Sequence, residues 1–231
     1  MEVCSELGQI ARANARRCGL RNITVIEGDV LSLDLRTVMP RADVVIMEML
    51  DTGLIAEQQS QAMSHLHEQE IIRAGTRIIP SRMDSYIELV NYDFDFYGLD
   101  MRFPLHARNY GANKRVTQIL TTRKRFESVD FSRPVDERVR TSVTVSVHRA
   151  GLANAVRLKS KIMLSPTVAL WGTSDMCVPA IVPIRERRLA AGQRARLSIS
   201  YSRGRGLQQV QVSLRDADGT KPAMAGESHR A

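Results

Sequence analysis

Two glutamates nine residues apart are the side chains best placed to do chemistry. Glu48 directly follows the apolar run Ala42-Asp43-Val44-Val45-Ile46-Met47, and an open α/β sheet holds its ligand in the crevice beyond the carboxyl ends of its strands. Glu57 opens the next helical pattern, and Gly53 between the two lets the connecting loop fold back. A carboxylate pair in that place can hold a cation. Taken singly, Glu57 also reads as a first-turn acid favoured by the helix dipole, and Glu48 as a solvated loop charge.

Other reactive residue types form no constellation. Cys4, Cys18 and Cys177 are too few and too scattered for a disulfide framework or a zinc site. His65, His67, His106 and His148 have no ligand spacing to carboxylates or cysteines and read as structural or surface residues.

The elements that must position the glutamates alternate between helix and strand over residues 1–80. Ser5 can cap a helix reaching about Arg17, with Leu7, Ile10, Ala11 and Cys18 on one face and Gly19 as its stop. The β-branched run Ile23-Thr24-Val25-Ile26 ends at Glu27-Gly28-Asp29. The run 42–47 is apolar on both faces, as a buried parallel strand requires. A helix is expected from about Glu57 to Ile72, closed by Gly75, followed by a strand through Arg77-Ile78-Ile79. This alternation predicts a partial Rossmann-like, doubly wound domain.

Beyond Pro80 the period shortens to two. Segments 86–90, 141–147, 156–159, 195–199 and 210–214 alternate apolar and polar residues, the pattern of an antiparallel sandwich or barrel. Residues 81–215 are therefore expected to form a second, β-barrel domain. Within it, residues 91–115 carry Tyr92, Phe94, Phe96, Tyr97, Phe103 and Tyr110, too apolar for a solvated loop. Residues 216–231 read as a disordered tail.

Composition excludes some classes of function. The 231 residues are 43% hydrophobic, enough for a sizeable core, and contain no apolar run long enough to span a membrane. With no signal-peptide pattern at the start, the expectation is a cytoplasmic protein without membrane association. The net charge of +8 divides unevenly: residues 1–90 carry 9 basic and 13 acidic side chains, residues 91–231 carry 24 and 12. A uniformly basic nucleic-acid binder has a different distribution, so no direct nucleic-acid binding is expected.

The stretch Glu48-Met49-Leu50-Asp51-Thr52-Gly53-Leu54-Ile55-Ala56-Glu57 resembles the double-glutamate loop of protein arginine methyltransferases, in particular their type III, monomethylating branch. Other segments are similar in the same order. Glu2 precedes Gly28 by 26 residues, as the family's acid at the end of the second strand precedes its glycine. Ile78-Ile79-Pro80-Ser81-Arg82 resembles the crossing from nucleotide-binding domain to barrel, and Tyr97-Gly98-Leu99-Asp100-Met101 resembles a segment beside the dimerisation arm. The likeness spans roughly residues 2–214.

The resemblance implies methyl transfer from S-adenosylmethionine to a guanidino nitrogen, with Glu48 and Glu57 as the catalytic pair. It implies that Glu2 holds the cofactor's ribose hydroxyls, that Asp29 lies near the adenine, and that Val30 supplies a backbone contact. The implied substrate is an arginine-containing protein or peptide, and the implied assembly is a homodimer through residues 91–115. A methyltransferase for a small guanidino compound, and a non-catalytic binding or dimerising module, are the alternatives. On their own residues, Glu2 reads as a surface acid and Asp29 as a turn residue after Gly28.

The sequence also departs from that family. Gly-x-Gly-x-Gly, which would cradle the cofactor's methionine end, occurs nowhere, so a shortened cofactor domain lacking its first strand is expected. Trp171-Gly172-Thr173-Ser174-Asp175-Met176 stands where the family carries Thr-His-Trp, and has no histidine. Ser202-Arg203-Gly204-Arg205-Gly206 is expected to be a hairpin turn, and alternatively a Gly-Arg methylation target.

Overall fold

The computed structural model describes residues 1–39, 41–108, 115–173 and 176–217. In chain order the helices are α1 (Ser5–Arg17) and α2 (Gln59–Glu68). The strands of the first part are β1 (Val44–Ile46) and β2 (Arg77–Ile79). The second part is built from β3 (Arg82–Tyr92), β4 (Asp95–Phe96), β5 (Leu99–Asp100), β6 (Leu105–His106), β7 (Val116–Ile119) and β8 (Lys124–Asp130). It continues with β9 (Arg138–Ser146), β10 (Gly151–Met163), β11 (Ala169–Trp171), β12 (Ala180–Leu189), β13 (Arg194–Ser202) and β14 (Gln211–Asp216).

The alternating segments of the second part all lie in strands. β6, β12, β10, β3 and β7 run side by side, with β8 on β3 and β11 on β10, all antiparallel; β14, β13 and β9 form a second, three-stranded sheet. Ile87, Leu89, Val156, Leu158 and Val182 of the first sheet meet Val139, Val145, Leu197 and Ile199 of the second in one core. The two sheets enclose that core without closing into a hydrogen-bonded barrel, so the sandwich form of the period-two pattern describes them better. The edges are bridged locally, as at Thr121 and Val147.

The first part is slighter than the sequence predicts. β1 and β2 pair in parallel and form a sheet of their own, two strands wide. Ile23-Thr24-Val25-Ile26 forms no strand; the chain there makes only a parallel bridge between Glu2 and Glu27. β1 is not the buried strand its composition predicts: Val44 is 51% and Ile46 75% exposed. Apolar residues on both faces need cover on both faces, and among the described residues β1 has one neighbour.

Both helices differ in detail. Cys4 rather than Ser5 occupies the cap position of α1 with no side-chain capping bond, and Leu7 and Ile10, expected to face a core, are exposed. α2 is shorter than expected: it begins two residues after Glu57 and stops at Glu68, and Gly75 lies in a later turn with φ +93°. Its buried side chains Met63 and Leu66 pack with Leu54, Ile71, Ile78, Met83, Phe131 and Ile162 in a second core that joins the first part to the large sheet. Asp216, the expected start of the tail, ends β14 and is ion-paired with Arg187; 218–231 lie outside the described residues, as does Tyr110.

Candidate functional site: a glutamate loop pinned to the β-sheets

The segment 48–57 takes its shape from one carboxylate and from the sheets. Asp51, buried, accepts backbone N–H bonds from Ile55 (3.1 Å), Ala56 (2.9 Å) and Glu57 (3.2 Å). A carboxylate accepting three backbone donors closes the chain just beyond the single 3-10 turn Thr52–Leu54 that it precedes. Burial is the larger influence on its ionisation and raises its pKa above the ordinary aspartate value; the three N–H bonds work in the opposite direction.

Contacts from distant parts of the chain fix the rest. The Thr52 hydroxyl lies 2.9 Å from the carbonyl of Cys177 and 2.8 Å from that of Val178. The N–H of Gly53 donates to Ser160 Oγ on β10 at 3.0 Å, and its carbonyl accepts from the Tyr201 hydroxyl on β13 at 2.8 Å. Gly53 has φ +74°, and a Cβ there would sit 3.1–3.2 Å from the side chains of Ile55 and Tyr201. A side chain is therefore opposed by both backbone and space.

The Gly-Arg turn completes the attachment. Gly204 N–H donates to the Leu54 carbonyl at 3.1 Å, and those of Arg205 and Gly206 donate to the Ile55 carbonyl at 3.0 and 2.9 Å. The segment is the expected turn between strands, and its backbone is a docking surface for the glutamate loop. Arg203 within it is buried and ion-paired with Glu127, which removes it as a methylation target. Tyr201 also lies 3.2 Å from Glu127, whose pKa burial raises against the opposing influence of Arg203.

Glu48 and Glu57 stand at the two ends of this pinned segment, both exposed. Met49 N–H donates to Gln59 Oε1 at 2.9 Å, so the neighbour of one glutamate is tied to the helix that follows the other. Gln59 is fully buried and its amide nitrogen has no partner among the described residues. The Cys177 thiol is pushed up to about 12, first by burial and then by the nearby carboxylates of Asp51 and Glu48. The structure thus brings Glu48, Asp51 and Glu57 to one loop, against the segment around Cys177. Of the stretch expected to replace Thr-His-Trp, Ser174 and Asp175 lie outside the described residues.

The other site candidates form a separate group. Glu2 N–H donates to the Ile26 carbonyl at 3.0 Å, and its own carbonyl accepts from Gly28 N–H at 2.9 Å, so Glu2 does lie beside Gly28-Asp29. Its carboxylate takes the Cys4 N–H at 2.8 Å through one oxygen, leaving the other without a hydrogen-bond partner among the described residues. Asp29 is exposed and closes an Asx turn onto Leu31 N–H at 2.9 Å, the turn role its position predicts, with its second oxygen unpaired among the described residues. Val30 packs against the second core.

These residues fit the nucleoside end of S-adenosylmethionine: two carboxylate oxygens are available for hydroxyl and amine donors. No strand–glycine-rich turn–helix that would hold its methionine end occurs among the described residues. They also contain no cluster of histidine, cysteine and carboxylate able to hold a metal ion, and no helix long and apolar enough to cross a membrane.

Sequence reasoning missed Asp51, Ser160, Tyr201 and Glu127. Only Asp51 left a signal, an acid three residues after Glu48 ahead of the Thr-Gly turn.

The architecture is a small parallel α/β unit leading into an antiparallel sandwich, with a carboxylate-bearing loop held at their junction. No family model matches the chain. It is 26% identical over 206 residues to an uncharacterised protein of Methanocaldococcus jannaschii, covering 88% of this chain and 72% of that protein. It is also 26% identical over 206 residues to an uncharacterised protein of Methanothermobacter thermautotrophicus, covering 88% and 73%. Among solved structures its fold is similar to the Trypanosoma brucei PRMT1 enzyme–prozyme heterotetrameric complex with AdoHcy. The TM-score is 0.69 at 15% sequence identity, covering 93% of this chain and 79% of that one.

Proposed function

We propose that the protein is an S-adenosylmethionine-dependent methyltransferase that monomethylates a guanidino nitrogen, with arginine in a protein or peptide as the substrate. The observation that carries this reading is the pinned loop: two exposed glutamates flank a segment whose backbone is fixed by Asp51, Ser160, Tyr201 and the 204–206 turn. Likeness of fold to a structure that contains AdoHcy supports the choice of cofactor.

Guanidinium is a poor nucleophile because its charge is delocalised and its pKa is above about 12. Glu48 and Glu57 grip it through paired N–H donors, draw positive charge to one side, and leave the opposite nitrogen freer to attack. Each carboxylate contributes roughly 4 kcal/mol at about 4 Å and an effective dielectric near 20. Most of that is spent equally on the bound substrate, so orientation is the larger catalytic share. A pinned loop serves orientation, because glutamates on a mobile loop would have to be ordered in every turnover. When bound, the cofactor would supply the sulfonium methyl and leave as the neutral thioether S-adenosylhomocysteine, while the methylated nitrogen gives up one proton to solvent. Glu2 and Asp29 would be the cofactor's contacts on this chain, with the Val30 backbone beside them.

Homodimerisation through residues 91–115 fits the exposed side chains of Tyr97, Leu99, Met101 and Phe103. The small-guanidine and non-catalytic readings are separated by one experiment. The protein is incubated with methyl-labelled S-adenosylmethionine and either an arginine peptide or free guanidino compounds, and products are resolved by mass spectrometry. Monomethylarginine in the peptide is expected, falling at least 100-fold in Glu48→Gln. Transfer only to small guanidines moves the substrate class, and no transfer together with no calorimetric heat of cofactor binding overturns the reading.

A further inference from the structure

The glutamate loop is built for a cation, while the opposite chemistry is concentrated on the outward face of the large sheet. Arg157, Lys159 and Lys161 alternate along β10 and stand in register with Glu88, Tyr86 and Asp84 of β3. Their neighbours Val156, Leu158 and Ile162 point into the cores, so this row points out. Arg125 of β8 is opposite Tyr86 on the other side, Arg123 precedes it, and Trp171 of β11 is opposite Lys161.

The side chains converge on Trp171. Its ring centroid lies 4.9 Å from that of Tyr86, the Arg123 guanidinium is 4.8 Å from it, and the Lys159 ammonium is 5.8 Å away. Asp84 and Glu88, the two acids among these residues, are buried and already committed. Glu88 is paired with Arg157 at 2.6 Å and Arg123 at 3.6 Å, and Asp84 with Arg82 at 3.5 Å and Arg125 at 3.7 Å. Neither Lys159 nor Lys161 forms a salt bridge among the described residues, although Glu88 lies close enough to act on the charge of Lys159. Apart from Arg82, which also faces Asp130, five cations therefore share Asp84 and Glu88 beside an indole that is 38% exposed.

We propose that this face binds single-stranded nucleic acid, with Lys159, Lys161, Arg123 and Arg125 on the phosphates and Trp171, flanked by Tyr86, as a stacking platform for a base. Such sites combine a cationic track with aromatic side chains on which bases stack. An acidic peptide would use the cations and leave the two aromatics without a role. Arg123, on a long stem at the surface, can move from the indole to a phosphate and leave the ring to a base. The sequence-based expectation of no nucleic-acid binding averaged charge over the halves of the chain and did not see one face of one sheet. The proposal does not depend on methyl transfer.

Trp171 is the only tryptophan in the chain, so intrinsic fluorescence reports on this face alone. Titration with a single-stranded thymidine oligonucleotide should quench it. Neutralising four phosphates, one per cation, should weaken affinity about 50-fold between 50 and 200 mM salt. Anisotropy of a labelled oligonucleotide should show Lys159→Gln/Lys161→Gln about tenfold weaker with a shallower salt dependence. Trp171→Leu should be weaker with the salt dependence unchanged, and both variants should keep the wild-type thermal midpoint. Absence of quenching, or equal quenching by a polyglutamate peptide or by inorganic phosphate at matched charge, overturns the proposal; the polyglutamate result would identify an acidic protein partner instead.

Discussion

Thr52, Gly53, Leu54 and Ile55 are buried, whereas Val44 and Ile46, a few residues upstream, are half or more exposed. The buried part has almost no regular secondary structure, and the exposed part is a strand. Regularity and rigidity are therefore separate properties here. The loop is held by side chains of β10 and β13 and by backbone of residues 177–178 and 204–206, more than a hundred residues away in sequence. β1 relies on its neighbours for cover and has one among the described residues. The loop geometry belongs to the sandwich rather than to the α/β unit that delivers the chain to it.

The sharpest break of that comparison is one substitution in the core set against one on the exposed strand. Phe131→Ala, in the core joining the two parts, should cost about 3–5 kcal/mol. Ile46→Ser on the exposed strand should stay within about 0.5 kcal/mol. Denaturant unfolding measures both, and comparable losses would show that β1 is covered in solution. Next, Asp51→Ala leaves three backbone donors without their acceptor and should cost about 1–3 kcal/mol, with a larger fractional fall in methyl transfer than in stability.

The same residue carries a pH signature. Because burial raises the folded-state pKa of Asp51, its ionisation opposes folding. Its contribution is most favourable below the ordinary aspartate value and is lost as pH rises through the raised one. Thermal midpoints of the wild type should therefore decline over that interval more than those of Asp51→Asn. Tyr201→Phe removes one bond to the Gly53 carbonyl and should cost about 1 kcal/mol, seen as faster hydrogen exchange at residues 53–56 with little change in α1. The last test is chemical and touches neither stability nor turnover. Cys177, whose thiol is pushed up to about 12, should resist alkylation at pH 8 in the folded protein, while exposed Cys18 reacts at the rate of a free thiol.

The sequence was readable where one local rule decided the outcome. Period-two alternation found β3, β9, β10, β13 and β14, because each has one face in a core. It passed over β12, where Pro183 interrupts the pattern. That proline falls at the bulge opposite Ala155, where the ladder can do without its missing N–H. The run 23–26 has the composition of a strand but no continuous partner to pair with. The positions of Glu48 and Glu57 at the ends of a folded-back loop were legible from Gly53 and the strand before it. The docking of that loop was not, because Ser160 and Tyr201 become its anchors only through contacts that no local pattern encodes.

The Tyr201–Gly53 bond spans 148 residues of sequence, and the 204–206 turn closes on the same loop. During synthesis the loop leaves the ribosome long before the strand that clamps it. At roughly 5–20 residues per second the interval is on the order of ten seconds. Contacts of such sequence separation form late, after the closure entropy of the intervening chain has been overcome. A nascent chain released before β13 would carry both glutamates and still lack the clamp that sets the loop between them.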